Sequence, residues 1–274
     1  MTIRSALTVS RTTGCLLVAI TSMLGAQTPA IPAHTTFTIS SHDVGETRTI
    51  NVYTPPGYQT AARNRYAVLY MPDGGVAEDF PHVVISVDSL IRLGRIAPML
   101  VVGIENTQRR RDMTGPTTVG SDSAIAPRVG GSAAFRSFIR DELMPEVKRR
   151  YRTTDETAIV GESLAGLFIV ETFLYEPTLF RRYIAISPSV WWNHDELVGT
   201  AEARLAIGGM ERRRLYLTAA NEEGISTGTA KIAGFIKTKP PAGLIWWYEP
   251  RPDLEHGTIY LGQGPTALAK ALRP

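Results

Sequence analysis

Residues 157–175 read TAIVGESLAGLFIVETFLY. The first five residues have the apolar pattern of a buried strand, and the residues from Leu164 onward have the apolar pattern of a helix. Ser163 lies at the junction, between Gly161 on one side and Ala165 and Gly166 on the other. A nucleophilic serine on a tight strand-to-helix turn needs small neighbours, because the backbone there is strained. The pattern predicts such a turn, and the alternative is a serine that caps a helix N-terminus.

The segments on both sides of this turn predict a mostly parallel sheet with helices on both faces. Apolar strand patterns alternate with helical patterns along the chain, which is typical of α/β proteins. The strand patterns are YAVLYM (66–71), PMLVVGIE (98–105), RRYIAISPS (181–189), RRLYLTAA (213–220) and GLIWWYEP (243–250). Two earlier segments, TTFTIS (35–40) and TRTINVYTP (47–55), alternate polar and apolar residues and predict an antiparallel edge. Residues 106–129 show no period and predict a long loop.

The N-terminus has the composition of a secretory signal peptide. Arg4 and Arg11 precede the short apolar run CLLVAITSMLG (15–25), and the small residue Ala26 follows before Gln27. We expect residues 1–26 to be cleaved and residues 27–274 to form one domain, secreted or periplasmic, with no membrane association beyond the export signal. A retained N-terminal anchor is the alternative. The chain's one cysteine, Cys15, lies in this segment, so a cysteine nucleophile is excluded from the mature domain.

Composition and motifs exclude several other classes of function. The formal net charge is +3, but residues 1–26 contribute two arginines and no acidic residue, so the remainder is close to neutral. The short runs QRRRD and ERRRL include acidic neighbours and predict solvated faces, and nothing indicates a nucleic-acid partner. The sequence has no phosphate-binding loop, no H-E-x-x-H motif and no paired Cys/His spacing. We therefore expect no metal and no cofactor.

Polar residues that follow the predicted strands supply the partners of Ser163. Ligands of open α/β sheets bind beyond the carboxyl ends of the strands, and a serine on this kind of turn is followed in the chain by an acid and then a histidine. His194 lies at a predicted helix entry with no strand end before it to supply the acid, which leaves His256 as the base. The loop NEEG (221–224) offers the acid, and counting from Ala220 favours Glu223 over Glu222.

Two backbone N–H groups are expected to stabilise the negative charge that develops on an attacked carbonyl oxygen. One is that of Leu164, which directly follows the nucleophile. The other is that of Gly74 or Gly75, in the glycine turn PDGG (72–75) after a buried strand.

Seven segments in order carry a resemblance to a known family. They are VYTPPGY, YAVLYMPDGG, VVGIENTQRRRDMT, GGSAAFRSFIRDELMPEV, the stretch from VGESLAG to SPSVWWN, YLTAANEEG and EHGTIY. The chain resembles the putative-esterase family of α/β-hydrolases, which includes esterase D-like enzymes, feruloyl esterases, enterochelin-type siderophore esterases and mycolyltransferases. SPSVWW is most similar to the siderophore branch.

The resemblance implies an α/β-hydrolase fold, with Ser163 as nucleophile, His256 as base and an acid in the NEEG loop. Some members of the siderophore branch work with a Ser–His dyad, so the role of Glu223 stays open. It also implies that the RRRD segment (109–112) borders the acyl-binding cleft. We expect a serine carboxylester hydrolase whose partner is a small-molecule ester, siderophore-like or aryl. An acyltransferase with the same site and a non-catalytic binding protein on this scaffold are the alternatives.

Overall fold

The computed structural model describes residues 30–273. Ile31–Pro274 form one compact unit. The predicted signal peptide, residues 1–26, lies outside the described residues. None of the helices within 30–273 combines the length and the apolar character that crossing a membrane requires.

Eight strands of the described chain form one sheet in the order β1-β2-β4-β3-β5-β6-β7-β8. They are β1 (His34–Ser41), β2 (Glu46–Tyr53), β3 (Tyr66–Met71), β4 (Met99–Ile104), β5 (Thr153–Glu162), β6 (Arg182–Ile186), β7 (Arg214–Thr218) and β8 (Ile245–Tyr248). The β1–β2 hairpin is antiparallel, with His34 opposite Tyr53, and β2 pairs antiparallel with β4. The other five pairs, β4–β3, β3–β5, β5–β6, β6–β7 and β7–β8, are parallel. The predicted antiparallel edge and parallel centre are therefore confirmed.

The helices connect these strands and cover both faces of the sheet. They are α1 (Phe80–Arg92), α2 (Arg109–Met113), α3 (Gly120–Ser123), α4 (Ser132–Ser137), α5 (Met144–Arg150), α6 (Leu164–Tyr175), α7 (Trp192–Leu205), α8 (Glu223–Thr238) and α9 (His256–Ala271). Helices α1 and α9 pack on one face, around apolar side chains such as Phe80, Val160 and Ile259. Helices α4 to α8 pack on the other face, around Phe135, Phe168 and Ile232.

Three helical regions differ from the sequence prediction. The predicted loop 106–129 contains the short helices α2 and α3. The pattern of GGSAAFRSFIRDELMPEVKRRY (130–151) predicts one regular helix, whereas the structure has a π-helical turn, Phe138–Leu143, between α4 and α5. This turn ends two residues before Pro145, which lacks the N–H that a regular helix interior uses. The pattern of TALAKALR (266–273) predicts the final helix, but α9 begins ten residues earlier, at His256, because Glu255 and Thr258 form a capping box.

A buried ion pair joins the start of the 106–129 segment, at α2, to strand β2 of the sheet. Arg48 on β2 is fully buried and pairs with Asp112 of α2 and with Glu46. Its guanidinium also lies 5.3 Å from the ring centre of Phe135. Asp112 is equally buried, so the two charges compensate each other in a region with little water.

Candidate active site

Ser163 occupies the predicted tight turn between β5 and α6. Its backbone has φ 61° and ψ −120°, a conformation that is strained for any residue with a side chain. A Cβ on Gly161 would lie 2.6 Å from the Cβ of Ala165, and one on Gly166 would lie 3.0 Å from the carbonyl oxygen of Ile186. Small residues are therefore required on both sides of the serine, and Ala165 is compatible with the turn because Gly161 leaves room for its methyl group.

His256 reaches Ser163 from the first turn of α9. Its Nε2 lies 3.0 Å from the Ser163 Oγ, within hydrogen-bond distance. For the serine hydroxyl to donate this bond, Nε2 must be the unprotonated ring nitrogen and Nδ1 must carry the proton. A serine whose hydroxyl donates to a neutral imidazole has the arrangement required for nucleophilic attack.

Glu222, rather than Glu223, is the carboxylate beside His256. The Glu222 Oε2 lies 2.7 Å from the Nδ1 of His256. The oxygen lies off the direction of the Nδ1–H bond, because Nδ1 has no partner with hydrogen-bond geometry. The interaction between Glu222 and His256 is therefore an attraction between charges and not a well-aligned hydrogen bond. The Glu222 side chain is 48% exposed and that of His256 is 29% exposed, so water screens the pair.

The structure corrects the preference for Glu223. The backbone N–H of Asn221 donates to the carbonyl oxygen of Leu254, which ties the end of β7 to the segment before His256. The next residue, Glu222, is extended and faces the histidine, whereas Glu223 is already the first residue of α8. The helical pattern of TGTAKIAGFIKTK (227–239) predicts a start four residues later than that of α8. The side chains of Glu222 and Glu223 therefore point in different directions, and only that of Glu222 contacts His256.

The predicted oxyanion donors differ in availability. The N–H of Leu164 is the first of α6 and has no carbonyl one turn earlier to bind. The N–H of Gly74 already donates to the carbonyl oxygen of Ile104 at 2.9 Å, so it is not available to bind the oxyanion and its predicted role is wrong. The N–H of Gly75 donates to the Oε2 of Glu78 at 2.7 Å, so it becomes available only if that carboxylate moves.

Ser189 places a second hydroxyl beside the nucleophile, which was not predicted. Its Oγ lies 3.4 Å from the Ser163 Oγ, and its backbone N–H donates to the Ser163 carbonyl oxygen at 3.0 Å. Only 2% of Ser189 is exposed. The signal that could have found it is its position three residues after β6, the neighbour of β5 in the sheet.

Two acidic side chains, those of Asp73 and Glu162, lie near the turn that holds Ser163. Asp73, after β3, is buried with φ 54° and accepts two hydrogen bonds from Arg109, at 2.6 and 2.8 Å. Glu162, the last residue of β5, points to the α1/α9 face because it is two residues after Val160. Burial raises the pKa of Glu162 to about 8, the charge of Asp79 adds to the effect, and Arg109 opposes it. The sequence alone did not indicate that Glu162 would be buried.

Two cavities adjoin this end of the sheet. One, of about 350 Å³, follows α6 and is lined by residues that include Pro116, Leu167, Trp192 and Leu197. Leu167 is one turn beyond Ser163, and the Trp192 Nε1–H holds the wall in place by donating to the carbonyl oxygen of Gly115. The other, of about 460 Å³, is lined by residues 107–111 and 126–128, four of which are arginines.

The sequence of the chain is similar to those of proteins named as siderophore esterases. The ferri-bacillibactin esterase BesA of Bacillus subtilis is 36% identical over 111 residues, which make up 36% of this chain and 38% of BesA. The siderophore enterobactin esterase of Emericella nidulans is 34% identical over 111 residues, 37% of this chain and 36% of that protein. The chain thus aligns with less than two fifths of the length of either relative. The apo-salmochelin esterase of Escherichia coli is 26% identical over 247 residues, 82% of this chain and 75% of that protein.

Solved structures and a family profile complete the comparison. An IroE-like serine hydrolase from Shewanella oneidensis has a TM-score of 0.79 at 24% identity, covering 88% of this chain and 79% of that one. This likeness confirms the predicted α/β-hydrolase fold. Residues 41–238 match the profile described as "Putative esterase". Because the match covers more than half of the chain, the protein belongs to the "Putative esterase" family, as its motifs predicted.

Proposed function

We propose that this protein is a serine carboxylester hydrolase that works through an acyl-enzyme on Ser163. The observation that carries the proposal is the 3.0 Å contact between the Ser163 Oγ and the His256 Nε2 on a strained turn between β5 and α6. His256 takes the proton of Ser163 while Oγ attacks the ester carbonyl carbon. Glu222 stabilises the imidazolium that forms, and the N–H of Leu164 binds the oxyanion.

The remaining steps need the same residues. His256 returns the proton to the leaving alcohol, which departs and leaves the acyl group on Ser163. A water molecule then gives a proton to His256 and attacks the acyl carbon, which releases the acid and restores the serine. All proton transfers pass through the Nε2 of His256.

The substrate class that we propose is a siderophore-like or aryl ester. Relatives named as esterases of ferri-bacillibactin, enterobactin and triacetylfusarinine C support the siderophore-like class. The cavity along α6 supports a substrate that carries an aromatic or short aliphatic group, since Trp192 and Leu197 line the cavity with apolar surface.

Labelling and turnover with a panel of esters test the proposal. A fluorophosphonate probe should label the wild type and fail to label Ser163→Ala. Aryl esters and cyclic triesters of graded size should be hydrolysed by the wild type. The proposal is wrong if labelling persists in Ser163→Ala or if no ester is turned over. Dominant transfer to a dilute added alcohol would instead assign the site to an acyltransferase.

We also propose that the protein is exported, on the composition of residues 1–26 alone. N-terminal sequencing of the protein recovered from the extracellular or periplasmic fraction should begin at Gln27. A full-length chain that starts at Met1 and stays in the cytoplasm would contradict the proposal.

A further inference from the structure

A cavity of about 400 Å³ lies at the end of the sheet opposite to Ser163. It is lined by Arg182, the first residue of β6, which is paired with Ala158 of the parallel strand β5. Ala158 is five residues before Ser163, so Arg182 is about 16 Å from the nucleophile along the strand direction, at about 3.3 Å per residue. A ligand in this cavity is therefore outside the candidate active site.

Arginines dominate the lining of this cavity. The charged residues in the lining are Glu156, Arg181, Arg182, Arg212 and Arg214. We call the space that these five residues line the basal cavity. A guanidinium group keeps its proton at any physiological pH, so four positive charges and one negative charge face the same space.

The carboxylate of Glu156 is shared between two of the arginines. Its Oε2 is 2.7 Å from the Nη1 of Arg182, and its Oε1 is 4.0 Å from the Nε of Arg181. The Glu156 side chain is 50% exposed, so water screens both contacts. One carboxylate cannot compensate two guanidinium groups, and the pair Arg181 and Arg182 therefore keeps an excess of positive charge.

Two arginines of the basal cavity keep donors that the protein does not use. The Arg212 side chain is exposed and has no hydrogen bond or ion pair with any other residue of the described chain. The Nη1 of Arg182 donates to Glu156, but the Nε of Arg182 is buried without a hydrogen-bond partner. Guanidinium groups that line a cavity and keep unused donors are suited to bind an anion.

The sheet holds positive charges close together at this cavity. Arg182 and Arg214 are the first residues of β6 and β7 and are directly paired in the parallel register. Strands about 4.8 Å apart therefore present both side chains on one face. The Arg214 guanidinium donates to the carbonyl oxygens of Ala271 and Arg273, which fix its position. Burial lowers the pKa of Arg214, and the charge of Arg182 lowers it further. Like charges at paired positions are destabilising, and an anion between them would relieve the repulsion.

The backbone that carries Arg212 is fixed beside the cavity. Arg212 has φ 61°, in the left-handed region, and its N–H donates to the carbonyl oxygen of Gly243 at 3.1 Å. A residue with a side chain keeps such a strained conformation only where the surrounding structure requires it. Arg212 thus has a constrained main chain and an unpaired guanidinium at the entrance to the basal cavity.

We propose that the basal cavity binds a phosphate group, either of a soluble phosphate compound or of a phospholipid headgroup. A planar guanidinium can donate to two oxygens of one phosphate, and several guanidinium groups can share the others. A phosphate monoester carries close to two negative charges, which matches the excess of arginines over Glu156, whereas a carboxylate carries one. The proposal does not depend on the esterase function, because the cavity is at the other end of the sheet.

Calorimetry with inorganic phosphate tests the proposal. Phosphate is titrated into the full-length protein, and acetate serves as the singly charged comparison. Phosphate should bind at least about tenfold more tightly than acetate, because it makes more hydrogen bonds between charged groups. Arg182→Gln and Arg212→Gln should each weaken phosphate binding by about tenfold. Arg128→Gln is the matched control, since it removes an exposed arginine from the cavity that residues 107–111 and 126–128 line, and it should leave the phosphate affinity unchanged.

Sedimentation with lipid vesicles identifies the source of the phosphate group. Binding to vesicles that contain phosphatidic acid, absent with phosphatidylcholine alone and lost in Arg212→Gln, would support a lipid headgroup. Phosphate binding in calorimetry without vesicle binding would support a soluble compound.

Three results would overturn the phosphate site. They are equal affinity for phosphate and acetate, an affinity unchanged in both Arg182→Gln and Arg212→Gln, and a loss of phosphate binding in Arg128→Gln alone. The last result would place the phosphate in the cavity beside α2. None of these measurements requires that an ester be hydrolysed.

Discussion

Glu222 and Glu223 are adjacent, similar in chemistry and different in position, so their amide variants form a matched pair. Glu222→Gln removes one negative charge beside His256 and keeps the shape of the side chain. Glu223→Gln makes the same chemical change at the start of α8, outside the contact with His256. We expect Glu222→Gln to lower kcat/KM and Glu223→Gln to leave it within about twofold of the wild type, as surface substitutions usually do.

The size of the Glu222 effect follows from the geometry of the pair. The Glu222 Oε2 is 2.7 Å from the Nδ1 of His256, which corresponds to charge centres roughly 4 Å apart. At that separation the attraction is about 4 kcal/mol near a protein surface and about 1 kcal/mol in bulk water. Since both side chains are partly exposed and the contact is off the N–H direction, we take about 1–2 kcal/mol. This corresponds to a loss of about 5- to 30-fold in kcat/KM.

Initial rates with 4-nitrophenyl butyrate measure the effect, and circular dichroism checks that both variants are folded. A rate unchanged by Glu222→Gln would mean that Ser163 and His256 act as a dyad, and it would refute the role given to Glu222. An equal or larger loss in Glu223→Gln would refute the assignment of the acid. A loss beyond about a thousandfold in Glu222→Gln would show that the pair is desolvated in the reacting state, against its observed exposure.

Three further predictions concern neighbouring residues. Ser189→Ala should lower kcat by about 2- to 10-fold with little change in KM, the value of one neutral hydrogen bond to Ser163; an unchanged kcat would show that the 3.4 Å contact is incidental. Gly74→Ala should cost about 3 kcal/mol or more in unfolding free energy, because its Cβ would lie 2.1 Å from the Ile104 nitrogen; urea unfolding measures this. Its control, Gly199→Ala in α7, has nothing within 4 Å and should gain up to about 1 kcal/mol. Because the pKa of Glu162 is about 8 when folded and 4.5 ordinarily, the folded protein retains a proton between these values that the unfolded chain has lost. The free energy of unfolding should therefore fall from about pH 5 to about pH 8 relative to that of Glu162→Gln, and a constant difference between the two proteins would contradict this.

The positions of Ser163 and His256 could be predicted because local constraints determine them. The glycines around Ser163 are needed for a turn of a few residues, and the order of serine, acid and histidine follows from the order of the strands in the sheet. Both can be read from a single sequence. The antiparallel edge could also be predicted, because polar and apolar residues alternate along β1 and β2 and this local pattern indicates half-buried strands.

The choice between Glu222 and Glu223 could not be predicted, because contacts between distant segments determine it. The hydrogen bond from Asn221 to Leu254 joins two loops and sets where α8 begins. The Gly74 N–H is likewise taken by the carbonyl group of Ile104 on the neighbouring strand. The burial of Glu162 could not be predicted, because the residues around it come from segments near β3, α1, α2 and α9, which are far apart in the sequence.

Because Arg48 is buried beneath α2, the stability of the scaffold and the shape of the ligand cavities depend on different residues. Arg48 and Asp112 hold α2 to the core, and loss of one partner from such a buried pair costs about 3–5 kcal/mol. Residues 115–128 form no ion pair with the described part of the chain, and much of this segment is exposed, although Asp122 is buried and accepts a hydrogen bond from the backbone N–H of Asn193. Substitutions at the exposed positions of this segment, which include Pro116, Pro127 and Arg128 at the two cavities, can therefore change the cavity walls while the Arg48–Asp112 pair keeps α2 in place. In this architecture a lineage can acquire a new ligand preference without first acquiring extra stability.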